Sequence, residues 1–377
     1  MTINVLLIGE SPANRDTLAR LLATASDMRV QNASVNPLAT PEKLRVDWPD
    51  VILIDLDQAR MDIIGHIKSI MRTRPTPIVV CASPGRSTTL SIPLEAMSAG
   101  AVAMVTKPSG YLQTVQNDFG KRVIHEIHVA MQSRVGSRFQ SERTQSLAAT
   151  TSKNIAERAS GPVINADIML PPPNRAAAAA LLKTAQIVAI GTSAGGTQAL
   201  EKLLSRLPVN CPPIAIVQHM PESLTATFAR RLDGLSRIDV REAHDGDAMK
   251  PGLALIAPGG KHMMIRRNGT SYHVEVRPGP IVNRHRPSVD VLFRSAATAA
   301  GINVVGFILT GMGDDGARGL KEMRDCGAHT VAQDEASCTV FGMPKEAIRY
   351  GAAVEVLSLD QITQKISAMA QADKTHP

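Results

Sequence analysis

The chain has 377 residues, 44 % hydrophobic but only 3 % aromatic, with a formal charge of +7. That length predicts two or three domains with aliphatic cores, and the modest positive excess is compatible with an acidic protein partner but is only weak evidence for nucleic acid, so no nucleic-acid partner is expected. Four scattered cysteines with no C-x-x-C pair predict buried thiols in a reducing compartment. The opening MTINVLLIGESPANRD has no signal-peptide pattern, and no run reaches the ~18 apolar residues of a membrane span, so a cytoplasmic chain with no membrane insertion is expected.

Strand-like and helical patterns alternate from the start. Apolar runs at 5–8, 51–54, 78–81 and 102–105 predict strands, and helical spacing appears at 14–24, 61–72, 90–98 and about 112–131. This alternation predicts a first α/β domain over 1–132, a doubly wound parallel sheet of flavodoxin-like type. Ligands of such sheets sit at the strand carboxyl ends, where Asp55 and Lys107 fall.

Residues 133–183 lose apolar periodicity and are rich in Ser, Thr, Arg, Gln and Ala, with Pro171, Pro172 and Pro173 in a row. They predict a flexible linker with a stiff polyproline piece and a short Ala helix near 176–182.

The stretch QIVAIGTSAGGTQAL then reads as buried strand, small-residue turn and helix, which puts Ser193 in G-x-S-x-G between them. Such a turn pushes a hydroxyl clear of the backbone and offers N–H groups to an oxyanion; the alternative is a Gly-rich turn that cradles a phosphate or binds nothing. Further strands are predicted at 214–217, 253–257, 303–309 and 328–332, with a hairpin turned at Asn268-Gly269. Together they predict a second doubly wound parallel-sheet domain, Rossmann-like, over 184–371.

Ser193, His219 and Asp315 each follow an apolar run by two to six residues. Neighbouring strand ends share one crevice, so a hydroxyl, an imidazole and a carboxylate far apart in sequence are able to meet there. Their order, Ser then His then Asp, differs from that of ordinary α/β-hydrolases. A second reading of the same half is open: GMGDDG at 311–316 satisfies G-x-G-x-x-G, with Asp334 about 20 residues on, as a dinucleotide site requires. A third is a non-catalytic regulatory adaptor.

Two resemblances sharpen this. Residues 3–109, through the aspartate ending VILID and the lysine of TKP, resemble the receiver domain of two-component response regulators. That implies Asp55 as phosphoacceptor, Lys107 as its phosphate contact, and Glu10 with Asp55 as Mg²⁺ ligands. Gly9 replaces the family's second carboxylate, Ala82 replaces its hydroxyl residue, Ser83 should point to the other face, and Ala59 and Ile63 replace a Pro and a Gly. A degenerate receiver, slow to take a phosphoryl group, is expected.

IVAIGTSAGGTQAL, IVQHMP, HRPSVDVLF, ILTGMGDDGARG and QDEASCTVFGMP are similar to the catalytic domain of chemotaxis protein-glutamate methylesterases/protein-glutamine glutaminases. The resemblance implies Ser193 as nucleophile, His219 as general base, Asp315 as its orienting carboxylate and the Met312 N–H as oxyanion donor, with no cofactor for catalysis. Asp314 stands where the family often has Asn. Implied partners are methyl-accepting chemotaxis receptors and a chemotaxis histidine kinase as phosphodonor. Arg284, His285 and Arg286 are candidates for docking an acidic receptor surface, or a solvated charged loop.

Overall fold

The computed structural model describes residues 2–34, 48–57, 62–83, 91–108, 113–135 and 164–372. The chain divides into two compact units, Met1–Gly161 and Pro162–Pro377.

The first unit is built on β1 (Ile3–Ile8), β2 (Met28–Ser34), β3 (Val51–Asp55), β4 (Ile78–Ala82) and β5 (Ala103–Thr106), all parallel, in the order β2-β1-β3-β4-β5. The inner strand β3 is buried along its whole length, as a sheet covered on both faces requires. Its helices are α1 (Pro12–Leu22), α2 (Ile63–Thr73), α3 (Ser91–Ala99) and α4 (Gln113–Met131). Ser11 caps α1 by accepting the Asn14 N–H, with Pro12 at the first helical position. Leu6, Ile52, Ile54, Ile67, Ile70 and Val80 pack one face of the sheet. Sequence patterning misses β2, because its MRVQNAS run sits at the sheet edge and carries alternating polar residues.

The second unit holds a seven-stranded parallel sheet. Its strands are β6 (Ile187–Thr192), β7 (Ile214–Gln218), β8 (Asp239–Glu242), β9 (Leu253–Ile256), β12 (Val304–Ile308), β13 (His329–Gln333) and β14 (Glu355–Leu357). The order is β14-β13-β12-β6-β7-β9-β8. Between β9 and β12 stands the antiparallel hairpin of β10 (His262–Asn268) and β11 (Ser271–Arg277). Asn268 pairs with Ser271, so the two-residue loop is Gly269-Thr270, one residue later than expected; Gly269, φ 61°, takes the left-handed first position that a type II′ turn gives to glycine. The helices are α5 (Arg175–Ala179), α6 (Gly196–Leu204), α7 (Glu222–Leu235), α8 (Val289–Ala300), α9 (Ala317–Asp325), α10 (Met343–Arg349) and α11 (Leu359–Ala372).

The expected linker needs correction. Residues 136–163 lie outside the described residues, but 164–183 belong to the second unit, whose boundary therefore precedes 184. Ala166, Met169 and Leu170 are buried against Met264, Val282 and Val291. Arg294, buried on α8, pairs with Asp167 and with Glu322. Three scattered apolar residues show no period, so only the surface that they cover explains their order. A truncation beginning at 184 should unfold at lower urea than one beginning at 162. Losing buried Met169 and Leu170, at about 1.5–3 kcal/mol each, should cost about 4 kcal/mol of unfolding free energy.

Candidate active site

From β6 the chain moves to β7 on one side and later to β12 on the other, so the switch point of the sheet lies at β6. Beside such a point the strand carboxyl ends open into a crevice. Thr192 pairs with Gln218 in the β6–β7 register, so Ser193 and His219 leave the sheet side by side. The His219 N–H donates to Thr192 O at 3.2 Å and the Ser193 N–H to Thr310 O at 3.0 Å. Gln218, which the sequence did not single out, donates its side-chain amide to the carbonyls of Ser193 and His219, both at 3.0 Å. It ties the two turns together.

Two glycines make the turns possible. Gly195, before α6, has φ 74°, a left-handed value that strains other residues. A Cβ on Gly311 would lie 2.9 Å from Ser193 Cβ, so only glycine lets the β12 turn come this close. The Gly311 carbonyl accepts the N–H groups of Gly342 and Met343 at 3.0 and 2.8 Å. In a trans peptide the following N–H points the opposite way, so the Met312 amide faces away from α10.

His219 Nε2 lies 2.8 Å from Asp315 Oδ2. Nδ1 is buried without a hydrogen-bond partner. A proton on Nε2, donated to the carboxylate, leaves the lone pair on Nδ1. Asp315 is 1 % exposed and accepts three further bonds: from the Ser288 hydroxyl at 2.8 Å, the Val289 N–H at 2.7 Å and the Asp290 N–H at 3.2 Å. The last two belong to the first turn of α8, whose positive end favours an anion. Burial pushes the Asp315 carboxyl up, but the His219 hydrogen bond, the neighbouring imidazoles and the Val289 N–H outweigh it and hold the group below its ordinary range. Ser288 in turn donates its N–H to Nδ1 of His262, whose Nε2 meets Pro280 O at 2.8 Å.

His285 is not simply a surface residue. Its ring stacks on His219, centroids 3.6 Å apart and 6° from parallel. Arg284 and Arg286 are exposed beside it. Asp314 is half-exposed, and it is Asp315 that meets His219. Asp334 holds the Ser337 N–H and hydroxyl at 2.9 and 2.6 Å within its own turn. With that acid engaged and a buried carboxylate inside the glycine turn, the dinucleotide reading has no support.

In the first unit, Asp55 is 2 % exposed at the end of β3. Lys107 pairs with Asp55 and, at 2.7 Å, with Asp57. Asp55 also accepts from Asn14 Nδ2 and the Asp57 N–H, both at 3.0 Å. Arg15 Nη1 donates to the carbonyls of Gly9 and Glu10 at 2.5 and 3.1 Å. Mg²⁺ requires oxygen ligands in near-octahedral array. Here both Asp55 oxygens face N–H donors and a guanidinium covers the carbonyls at the end of β1. The expectation that Glu10 and Asp55 hold Mg²⁺ does not fit this donor set, and among the described residues no three His, Cys, Asp or Glu side chains are grouped to hold a metal. Ser83, expected on the other face, donates its hydroxyl to Asp57 at 2.5 Å. The strand ends at Ala82, and its alternation of faces ends with it. Ala59 lies outside the described residues.

Two parallel α/β units, one with a receiver-type carboxylate–lysine pocket and one with a buried Asp–His pair beside a strand-end serine, define a receiver-linked ester hydrolase. Residues 188–366 match the family model of the CheB methylesterase and residues 5–116 that of the response regulator receiver domain. The chain belongs to the chemotaxis family of protein-glutamate methylesterases/protein-glutamine glutaminases. The protein-glutamate methylesterase/protein-glutamine glutaminase 2 of Chromobacterium violaceum is 49 % identical over 366 residues, which span 97 % of this chain and 99 % of that protein. The corresponding protein 1 of Pseudomonas savastanoi pv. phaseolicola is 50 % identical over 373 residues, 97 % and 98 % of the two chains. The crystal structure of the Thermotoga maritima CheB methylesterase catalytic domain, 38 % identical, covers 50 % of this chain and 100 % of that one with a TM-score of 0.48. Among the described residues no helix is long and apolar enough to cross a membrane.

Proposed function

We propose that this chain is a cytoplasmic enzyme that hydrolyses glutamate γ-methyl esters on methyl-accepting chemotaxis receptors and deamidates receptor glutamines. Ser193 is the nucleophile, His219 the general base and Asp315 its orienting carboxylate. The observation that carries this reading is His219, its ring bonded through Nε2 to Asp315 and its Nδ1 unpartnered, on the strand end beside the one that bears Ser193.

Ser193 Oγ attacks the ester carbonyl while its proton passes to His219 Nδ1. Asp315 keeps the proton on Nε2 and stabilises the imidazolium. The tetrahedral oxyanion is held by backbone donors, the Met312 N–H among them. Collapse of the intermediate expels the methoxy group, which takes the proton from Nδ1 and leaves as methanol. Water, deprotonated by Nδ1, then attacks the acyl-enzyme and releases the glutamate carboxylate and Ser193. With a glutamine substrate the departing group is ammonia. Arg284 and Arg286 give the crevice a positive rim for an acidic receptor surface. Methanol release from methylated receptor membranes tests the activity, and membranes that yield none with the wild-type chain would refute it.

A chemotaxis histidine kinase is the natural phosphodonor for a receiver, yet both Asp55 oxygens already face N–H donors and the neighbouring Asp57 carboxylate is paired with Lys107. Acetyl phosphate with Mg²⁺ should therefore change methanol release by the full chain less than deleting residues 1–130 does. A several-fold activation that disappears in Asp55→Ala would overturn this.

A further inference from the structure

Asp290 is 4 % exposed and takes no part in the chemistry just described. It lies in the first turn of α8, with its carboxylate directed at a different helix. Oδ1 accepts the Gly316 N–H at 2.9 Å and the Gly319 N–H at 2.7 Å, the orphan donors at the start of α9. Asn283 Nδ2 approaches Oδ2 at 3.4 Å. Asp315, immediately before α9, does the converse for α8, accepting from Ser288, Val289 and Asp290. Each helix is thus capped by an aspartate from the other. The two caps share a connection, because the Asp290 N–H donates to Asp315 Oδ1.

We propose that Asp290 is a positioning residue for the esterase reaction: by capping α9 from α8 it completes a reciprocal pair of helix caps that fixes the Asp315 carboxylate against His219. The reason is geometric. Asp315 is one residue from Gly316, and Gly316 is held by Asp290. Without that acceptor two buried N–H groups lose their partner, the first turn of α9 relaxes, and Asp315 moves with it. A displacement of about 1 Å at a catalytic group costs about a hundredfold in rate. Burial and the adjacent Asp315 carboxylate push the Asp290 carboxyl well above its ordinary range, so a neutral side chain with one acceptor oxygen satisfies the same cap.

The proposal rests on the esterase reading, and the test separates the two. Methanol release is measured for wild type, Ser193→Ala, Asp290→Ala, Asp290→Leu and Asp290→Asn, each checked for folding by circular dichroism. The expected result is a loss of about a hundredfold in kcat for the Ala and Leu variants, with KM within about twofold, because the defect lies in orienting the base and leaves substrate binding intact. Asp290→Asn should recover kcat to within about threefold of wild type, its Oδ1 serving both N–H groups while the Asn283 amide turns its oxygen to the new NH₂. Activity surviving in Ser193→Ala would sink the esterase reading itself. If Ser193→Ala is inactive, three outcomes each overturn the role of Asp290: wild-type kcat in Asp290→Ala, an Asn variant no better than Ala, or loss of fold in both the Ala and Leu variants.

Discussion

Folded Ser193→Ala protein is expected to lose methanol release by at least ~10⁴-fold while keeping its stability within about 0.5 kcal/mol. The two halves of that expectation have different causes. The turn that carries Ser193 is held by backbone bonds, Ser193 N–H to Thr310 O and Gly196 N–H to Ser193 O at 2.9 Å, and by the Gln218 amide on its carbonyl. None involves the hydroxyl. Removing Oγ therefore leaves the turn in place and deletes only the attacking atom. His219→Ala should lose activity to a similar degree, but with a visible effect on stability. Its ring fills the space between His285 and Asp315, and the buried carboxylate would lose one of four donors. The measurement is methanol release on methylated receptor membranes, paired with urea unfolding of each variant. Substantial turnover by either folded variant would remove that residue from the mechanism.

Much of this arrangement is legible before any coordinates, for a physical reason. Inner strands of a parallel sheet are apolar on both faces, and the turns that end them need small residues. Runs such as IVAI, IAIV and VVGFI therefore mark their own carboxyl ends, and with them Ser193, His219 and the 310–315 turn. Of the four edge strands of the two parallel sheets, only β5 announces itself this way. β2, β8 and β14 are short or alternately polar and went unpredicted. The segment 164–183 reads as linker because its four buried apolar residues, Ala166, Met169, Leu170 and Ala178, carry no period. The caps on α8 and α9 are silent in sequence for another reason: Asp290 and its partners Gly316 and Gly319 are 26 and 29 residues apart, and the bonds depend on how two helices abut. Nor does any pattern in the chain say which nitrogen of His219 faces Asp315. That follows only from the ring lying between the α8 turn and the end of β7.

Asp315→Asn should lower kcat by ~10⁴-fold, while Asp314→Asn leaves it within about twofold. Adjacent, chemically identical residues make this a test of geometry. Asp314 is half-exposed, and its replacement by an isosteric amide costs little in water. Asp315 is surrounded by four donors: the His219 ring, the Ser288 hydroxyl and the N–H groups of Val289 and Asp290. An amide in that place has one acceptor oxygen and an NH₂ that must face another donor. If the oxygen takes the Oδ1 place with Ser288 and Asp290, the NH₂ faces the Val289 N–H, which loses its acceptor, and His219 Nε2, which forces the ring proton onto Nδ1. The nitrogen that the proposed mechanism uses as base is then occupied and cannot take the serine proton. If the oxygen takes the Oδ2 place with His219 and Val289 instead, the NH₂ faces the Ser288 hydroxyl and leaves the buried Asp290 N–H unpaired, at about 1–3 kcal/mol. Either way the base is lost or the loop that orients it is strained. Equal, mild effects of the two substitutions would show that the bond between Asp315 and His219 does not orient the base.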